Sequence, residues 1–145
     1  MFSLETFTLE VKTTGDTDIM DLTPAVAEKV QQSRVRAGLL NLFISGSTAA
    51  LSTIEYESGV VNDLRAAIER LFPRELHYEH DARWGDGNGY SHVRAAFLKP
   101  SLNIPIEDGR LLLCTWQQIV LLDFDNRPRQ RRIRGQIMGI RPANG

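Results

Sequence analysis

Apolar and polar residues alternate near the start of the chain. Phe7, Leu9 and Val11 fall between Thr6, Thr8 and Glu10, which predicts a half-buried strand over Phe2–Lys12. Thr13-Thr14-Gly15-Asp16 reads as a turn. Thr23-Pro24 predicts a helix start, with Thr23 as the cap and Pro24 at the first helical position. A narrow stripe of Ala25, Val26 and Val30 carries that helix to about Arg34. Ala37–Ser45 is a dense apolar run, the pattern of a central strand covered on both faces. A segment of small residues, Gly46–Thr53, follows it. Val60, Val61, Leu64, Ile68, Leu71 and Phe72 recur at three- and four-residue spacings. They predict a helix over Ser58–Phe72 that Pro73 stops. Glu75–His80 reads as extended, Asp81–Gly89 as a polar glycine-rich loop, and Tyr90–Leu98 as a short helix. Strands are predicted at about Leu102–Ile106, Leu111–Cys114, Gln118–Phe124 and Gln130–Ile140, with Asp108-Gly109 as a hairpin turn between the first two. The expected class is α+β: mostly antiparallel sheet packed with two or three helices, in a single compact domain over residues 1–145.

Composition narrows the function classes. The 145 residues are 42% hydrophobic and 24% charged, with a formal net charge of −1, so neither a disordered chain nor a generally cationic binder of nucleic acid or anionic membrane fits. Cys114 is the lone cysteine, which excludes an internal disulfide framework. With Glu5 in place of a basic leader and no apolar run long enough to span a bilayer, the expected location is cytoplasmic. Arginine supplies 14 of the 17 basic residues. That bias suits fixed ion pairs or anion recognition, and equally a GC-rich genome.

Five groups of residues bear candidate chemistry. Gly46-Ser47-Thr48-Ala49-Ala50 follows a strand and can hold an anion through hydroxyls and backbone amides; it can equally be a tight buried turn. Glu55 and Glu57 share a face if extended, as an acid–base pair or as ligands for a hard cation. Glu57 adjoins the helix and suits its N-terminus, so Glu55 is the functional candidate. His77, His80 and His92 crowd one stretch, a pattern of metal binding or proton transfer. On a strand His77 and His80 would face opposite ways, whereas His80 and His92 converge if the loop between them folds back, with Asp86 and Asn88 as added oxygen donors. Cys114-Thr115-Trp116-Gln117 offers a ring and an amide, with Cys114 expected to be buried and inert. Arg127, Arg129, Arg131, Arg132 and Arg134 form a basic series, read as paired to acids elsewhere in preference to binding phosphate or nucleic acid.

Taken in order, several of these segments resemble the YjbQ family of secondary thiamine-phosphate synthase-like proteins. The matching stretches are Gly46-Ser47-Thr48-Ala49-Ala50 through Glu55, Val61-Asn62-Asp63-Leu64, Tyr78-Glu79-His80, Asn88-Gly89-Tyr90-Ser91-His92, and Gly109-Arg110-Leu111 through Thr115-Trp116-Gln117. Departures occur at Gly46, where the family commonly has histidine, at Ile54-Glu55-Tyr56-Glu57, and at Cys114, where the family has glycine. The resemblance implies a compact α+β fold and a homotrimer with the histidine motifs near subunit boundaries. It also implies a weak thiamine-phosphate synthase activity. That transferase reaction joins a pyrimidine diphosphate to a thiazole phosphate and releases pyrophosphate, normally with a divalent cation.

The expected function is therefore a small enzyme-like protein with a phosphate, anion or metal pocket. Ser47 and Thr48 are expected to hold phosphate, His80 and His92 to bind a divalent metal ion or move protons, Glu55 to act as base, and Asn88 and Gln117 to orient a small phosphorylated ligand. The alternative is a non-catalytic ligand-binding or assembly protein of the same fold.

Overall fold

A computed structural model of the chain describes residues 1–143. Eight strands form two antiparallel sheets. The alternating N-terminal segment is β1 (Phe2–Thr13), followed by the short β2 (Asp18–Asp21) and helix α1 (Thr23–Ser33). Then come β3 (Ala37–Ile44), β4 (Ala49–Ile54), α2 (Ser58–Leu71), α3 (Glu79–Trp84) and α4 (Gly89–Leu98). The chain ends with β5 (Ser101–Glu107), β6 (Arg110–Leu111), β7 (Gln118–Asp123) and β8 (Arg129–Ile140). The larger sheet has the order β1-β8-β3-β5-β6 and the smaller β2-β7-β4.

The period-two pattern explains how the sheets pack. Leu40, Leu42 and Ile44 of β3, Ile104 and Ile106 of β5, and Ile133 and Ile137 of β8 point inward. They meet Ala49 and Leu51 of β4 and Ile119 and Leu121 of β7. Val26 and Val30 of α1 close one end of that core. The other face of the smaller sheet, through Ala50, Val120 and Leu122, packs on Val61 and Ile68 of α2 and Ala95 of α4. Three layers result: large sheet, small sheet, helices.

The structure corrects several local expectations. The strand covered on both faces is β7, whose residues from Ile119 to Asp123 are all buried. β3 is central in its sheet, but its outer face leaves Phe43 exposed. A dense apolar run signals burial without saying how many faces are covered. Leu22, not Thr23, occupies the cap of α1 and makes no side-chain cap bond. The Thr23 hydroxyl instead accepts a hydrogen bond from the Ile119 amide at 2.8 Å, tying α1 to β7. There are four helices among the described residues because Glu79–Trp84, expected to straddle an extended segment and a loop, is helical. β6 stops at Leu111, short of the strand expected to reach Cys114, and the Cys114 thiol is exposed, not buried. No helix among the described residues is long and apolar enough to cross a membrane.

Candidate functional site

The two histidines converge because the chain between them turns back sharply. His80 is the second residue of α3. That helix ends at Gly85, which takes the left-handed conformation (φ 72°) that closes a helix without a side-chain clash. α4 then begins at Gly89, whose amide donates to Asp81 Oδ1 at 2.8 Å. A Cβ on Gly89 would lie 2.6 Å from that of Tyr78, so only glycine lets the two helices approach this closely. Ser91 Oγ donates to the Phe124 carbonyl and pins α4 to the end of β7. One turn into α4, His92 meets His80 with ring centroids 4.4 Å apart and planes inclined by 42°.

Carboxylates face the imidazoles. His80 Nδ1 lies 3.3 Å from Asp81 Oδ1 and 3.4 Å from Asp86 Oδ1. Protonated, Nδ1 donates to these oxygens. Bare, it joins them as a nitrogen and two oxygens within 4.8 Å of one another, a spacing suited to one cation. Beside them Asn88 is buried. Its Nδ2 donates to Asp125 Oδ1 at 3.3 Å, while its Oδ1 is buried with no partner among the described residues. Turning the amide over would set oxygen against the Asp125 carboxylate, so the orientation shown is the one the site allows. An orphaned buried acceptor costs about 1–3 kcal/mol unless water, a donor or a cation meets it.

The opposite wall is a web of ion pairs. Asp123 and Asp125 are fully buried. Asp123 takes Nε and Nη2 of Arg131 at 2.7 and 2.8 Å and the Thr13 hydroxyl at 2.6 Å. Asp125 accepts from Arg129 Nε at 2.8 Å and from the Thr48 hydroxyl at 3.1 Å. Burial pushes the Asp125 carboxyl up. Hydrogen bonds from the Asn126 amide and the Asn88, Arg129 and Thr48 side chains outweigh it and hold the carboxyl below its usual range. Gly46, Ser47, Thr48, His80, Trp84, Asp86, Asn88, His92, Arg129 and Arg131 line one open cleft of about 520 Å³.

Ser47, Thr48, His80, Asn88 and His92 thus come together as expected, and Asp86 joins them. Thr48 does not present a free hydroxyl: its proton goes to Asp125, and its oxygen accepts from Arg131 Nη2 at 2.7 Å. Glu55 and Gln117 lie elsewhere in the chain's fold. β4 rises about 3.3 Å per residue, so its six residues hold Thr48 and Glu55 about 20 Å apart. Glu55 lines a separate cleft with Asp21, Tyr56 and the exposed Trp116. Gln117 Nε2 donates to Thr53 Oγ1 at 3.2 Å. Glu57 caps α2, accepting from the Gly59 and Val60 amides at 2.7 and 3.0 Å, the helix-terminus role expected of it. His77 lies on neither a strand nor a helix, and it does not line the cleft. The residues that sequence reasoning passed over are Asp81, Asp123 and Asp125. The last two carried a usable signal: acids at 123 and 125 and arginines at 129 and 131 alternate with period two on either side of a short connection.

Burial, and next to it the facing His80, push the His92 imidazole below its ordinary value; Asp86, Asp125 and Asp81 oppose this only in part. A group with a lowered folded pKa binds fewer protons folded than unfolded near its titration. The neutral His92 therefore contributes stability in full above the unfolded value near 6.5. That contribution is lost as pH falls from there through the lowered folded value. Replacing His92 with Gln removes this sensitivity. The melting temperature of wild type, taken relative to His92→Gln, is expected to fall between about pH 7 and pH 5; parallel curves would contradict the assignment.

Comparisons with known proteins agree with this architecture. The model of a family described as "UPF0047 protein YjbQ-like" matches residues 7–140. A UPF0047 protein of Methanothermobacter thermautotrophicus is 35% identical over 138 residues, 94% of each chain. One from Mycobacterium tuberculosis is 37% identical over 127 residues, 82% of this chain and 95% of its own. Among solved structures, a YbjQ-like protein of unknown function from Sulfolobus solfataricus aligns with a TM-score of 0.85 at 26% identity, covering 95% of this chain and all of its own (100%). A hypothetical protein from Aeropyrum pernix gives 0.86 at 29% identity, covering 94% and 99%.

Proposed function

The chain belongs to the UPF0047 YjbQ-like family, and we propose from the chemistry of its cleft that this is the centre of a small enzyme-like protein acting on a phosphorylated ligand with a divalent cation. The observation that carries this reading is Asn88 Oδ1, buried with no partner among the described residues, beside the paired imidazoles and Asp86. His80, Asp81 and Asp86 fit a cation as donors, with His92 and Asn88 Oδ1 at hand. A divalent ion there would offset phosphate charge and polarise a phosphoryl oxygen.

The chain's own groups divide the remaining work. Ser47 is exposed, and its hydroxyl makes no hydrogen bond among the described residues, so it is free to donate to a phosphate oxygen. Thr48 holds Asp125 and Arg131 in place. His92, neutral near pH 7, can take up a proton. Asn88 orients the bound group. The finer reading is a transferase of the thiamine-phosphate synthase type, in which a carbon–nitrogen bond forms as pyrophosphate leaves. The working unit in this reading is a homotrimer. Phe2, Leu4, Phe43 and Ile140 stand exposed on the outer face of the large sheet and are suited to covering by another copy. Glu55 and Gln117, remote within one chain, would then act at a neighbour's cleft.

Elemental analysis and melting curves test this. A bound divalent metal is expected, with a melting temperature raised by about 5–10 °C in pyrophosphate at a hundredfold excess over its dissociation constant. Metal-free protein whose melting ignores both added cation and pyrophosphate would sink the proposal.

A further inference from the structure

Arg131 is held on two of its three nitrogens. Nε and Nη2 bind the Asp123 carboxylate, and Nη2 also reaches the Thr48 hydroxyl. Nη1 makes no hydrogen bond among the described residues, and it faces Gly46: a Cβ built on that glycine would lie 3.2 Å from it. Gly46 has a φ of +130°, a conformation that residues with a side chain rarely adopt. The connection from β3 to β4 therefore passes the guanidinium bare, and the Nη1 protons stay open to the cleft. Arg129 shows the same economy. Its Nε binds Asp125, and its side chain is 34% exposed. Its two terminal nitrogens have no partner among the described residues. Both arginines are thus fixed by buried carboxylates on one edge and free on the other. This is how a guanidinium is pre-oriented to donate to oxyanions.

Charge decides what such an edge can take. Arg129 and Arg131 pair with Asp125 and Asp123, while Asp81 and Asp86 face His80 across the cleft with no arginine on them. Four carboxylates against two guanidiniums leave an excess of negative charge, which repels a free anion and welcomes a divalent cation. Once a cation restores neutrality, the free N–H groups set the preference for what binds beside it.

Resting on the reading of the cleft above, we infer that the free edges of Arg129 and Arg131, with the Ser47 hydroxyl, form a phosphoryl-binding arm. Its ligand is a phosphoryl group whose oxygens reach the guanidiniums on one side and the cation held by the His80 side on the other. Gly46 is the residue that keeps the arm open. Arginine is required over lysine, because an ammonium can pair with Asp123 or Asp125 but has no second edge to offer.

Calorimetric titration with inorganic phosphate tests this on the full-length protein, with Mn²⁺ bound and after chelation. Phosphate is expected to bind only in the presence of Mn²⁺. Its affinity should fall about tenfold or more in Arg131→Lys and in Arg129→Lys. Mn²⁺ affinity, measured separately by electron paramagnetic resonance, should change by less than about twofold, because neither arginine is a ligand. Should Arg131→Lys fail to fold, Arg129→Lys carries the test alone, since its site is partly exposed. Unchanged phosphate affinity in folded variants that still bind Mn²⁺ would overturn the arm and leave the metal reading standing. Phosphate that binds equally without Mn²⁺ would also overturn it. A wild-type protein that binds no Mn²⁺ would overturn both.

Discussion

Arg131→Met is expected to destabilise the protein by about 3–5 kcal/mol, lowering the melting temperature by about 10–15 °C. The reason is Asp123. It is fully buried and takes two of its four hydrogen bonds from Arg131; the others come from the Thr13 hydroxyl and the Asp125 amide. Methionine fills much of the space of the arginine stem but strands a carboxylate away from water. Desolvating an unpaired charge costs more than the pair gained when intact, so removing one partner hurts more than removing both. The double variant Asp123→Leu/Arg131→Met should therefore recover most of the loss. Melting curves of the two single variants and the double form the cycle that isolates the pair. A single Arg131→Met variant melting within about 3 °C of wild type would mean that Asp123 finds other support.

Metal binding is expected to depend equally strongly on His80. Its Nδ1 lies 3.3 and 3.4 Å from Asp81 and Asp86, and its ring packs against His92 at a tilt of 42°. Removing a ligand both deletes a donor and frees the acids that it oriented. Loss of a supporting partner alone typically costs 10–100-fold in metal affinity, so His80→Ala should lose on the order of 100-fold or more. Asn88→Ala should lose less, because it removes the orphaned oxygen but also exposes Asp125 Oδ1. The stability cost of His80→Ala is expected to be small, since His80 is only partly buried and packs at the surface of α3.

The elements that could be read from sequence are those where one period dominates. β1, α2 and β8 are legible within a residue or two because alternation over Thr6–Val11, three-and-four spacing over Val60–Phe72, and Ile133 and Ile137 on one face mark their middles, while turn and proline signals mark their ends. The hairpin at Asp108-Gly109 was legible because both residues take positive φ, 50° and 78°, as a two-residue turn of this kind demands. α3 was missed because its six residues lack an apolar stripe; it is held by tertiary contacts such as Gly89 to Asp81. The two apolar runs at β3 and β7 look alike in one dimension, and only the sheet order tells which is sandwiched.

The site was legible in the same uneven way. The approach of His80 to His92 followed from a glycine-rich loop between them. The basic series resolved largely into ion pairs, Arg129 with Asp125, Arg131 with Asp123 and Arg132 with Glu10, as solvated or paired charges should. What sequence could not show was direction along β4. Thr48 and Glu55 bracket one strand, and a strand carries its two ends apart. It also could not show that the Thr48 hydroxyl was already committed, because Asp125 reaches it from 77 positions away.

The role of this cleft turns on whether it holds a cation. Titration of metal-stripped wild-type protein with Mn²⁺ near pH 7.5, compared with His80→Ala, is the direct measurement. The prediction is saturable binding by wild type and its near-complete loss in a His80→Ala variant that still melts like wild type. Binding of equal strength in both proteins, or none in wild type, would contradict it.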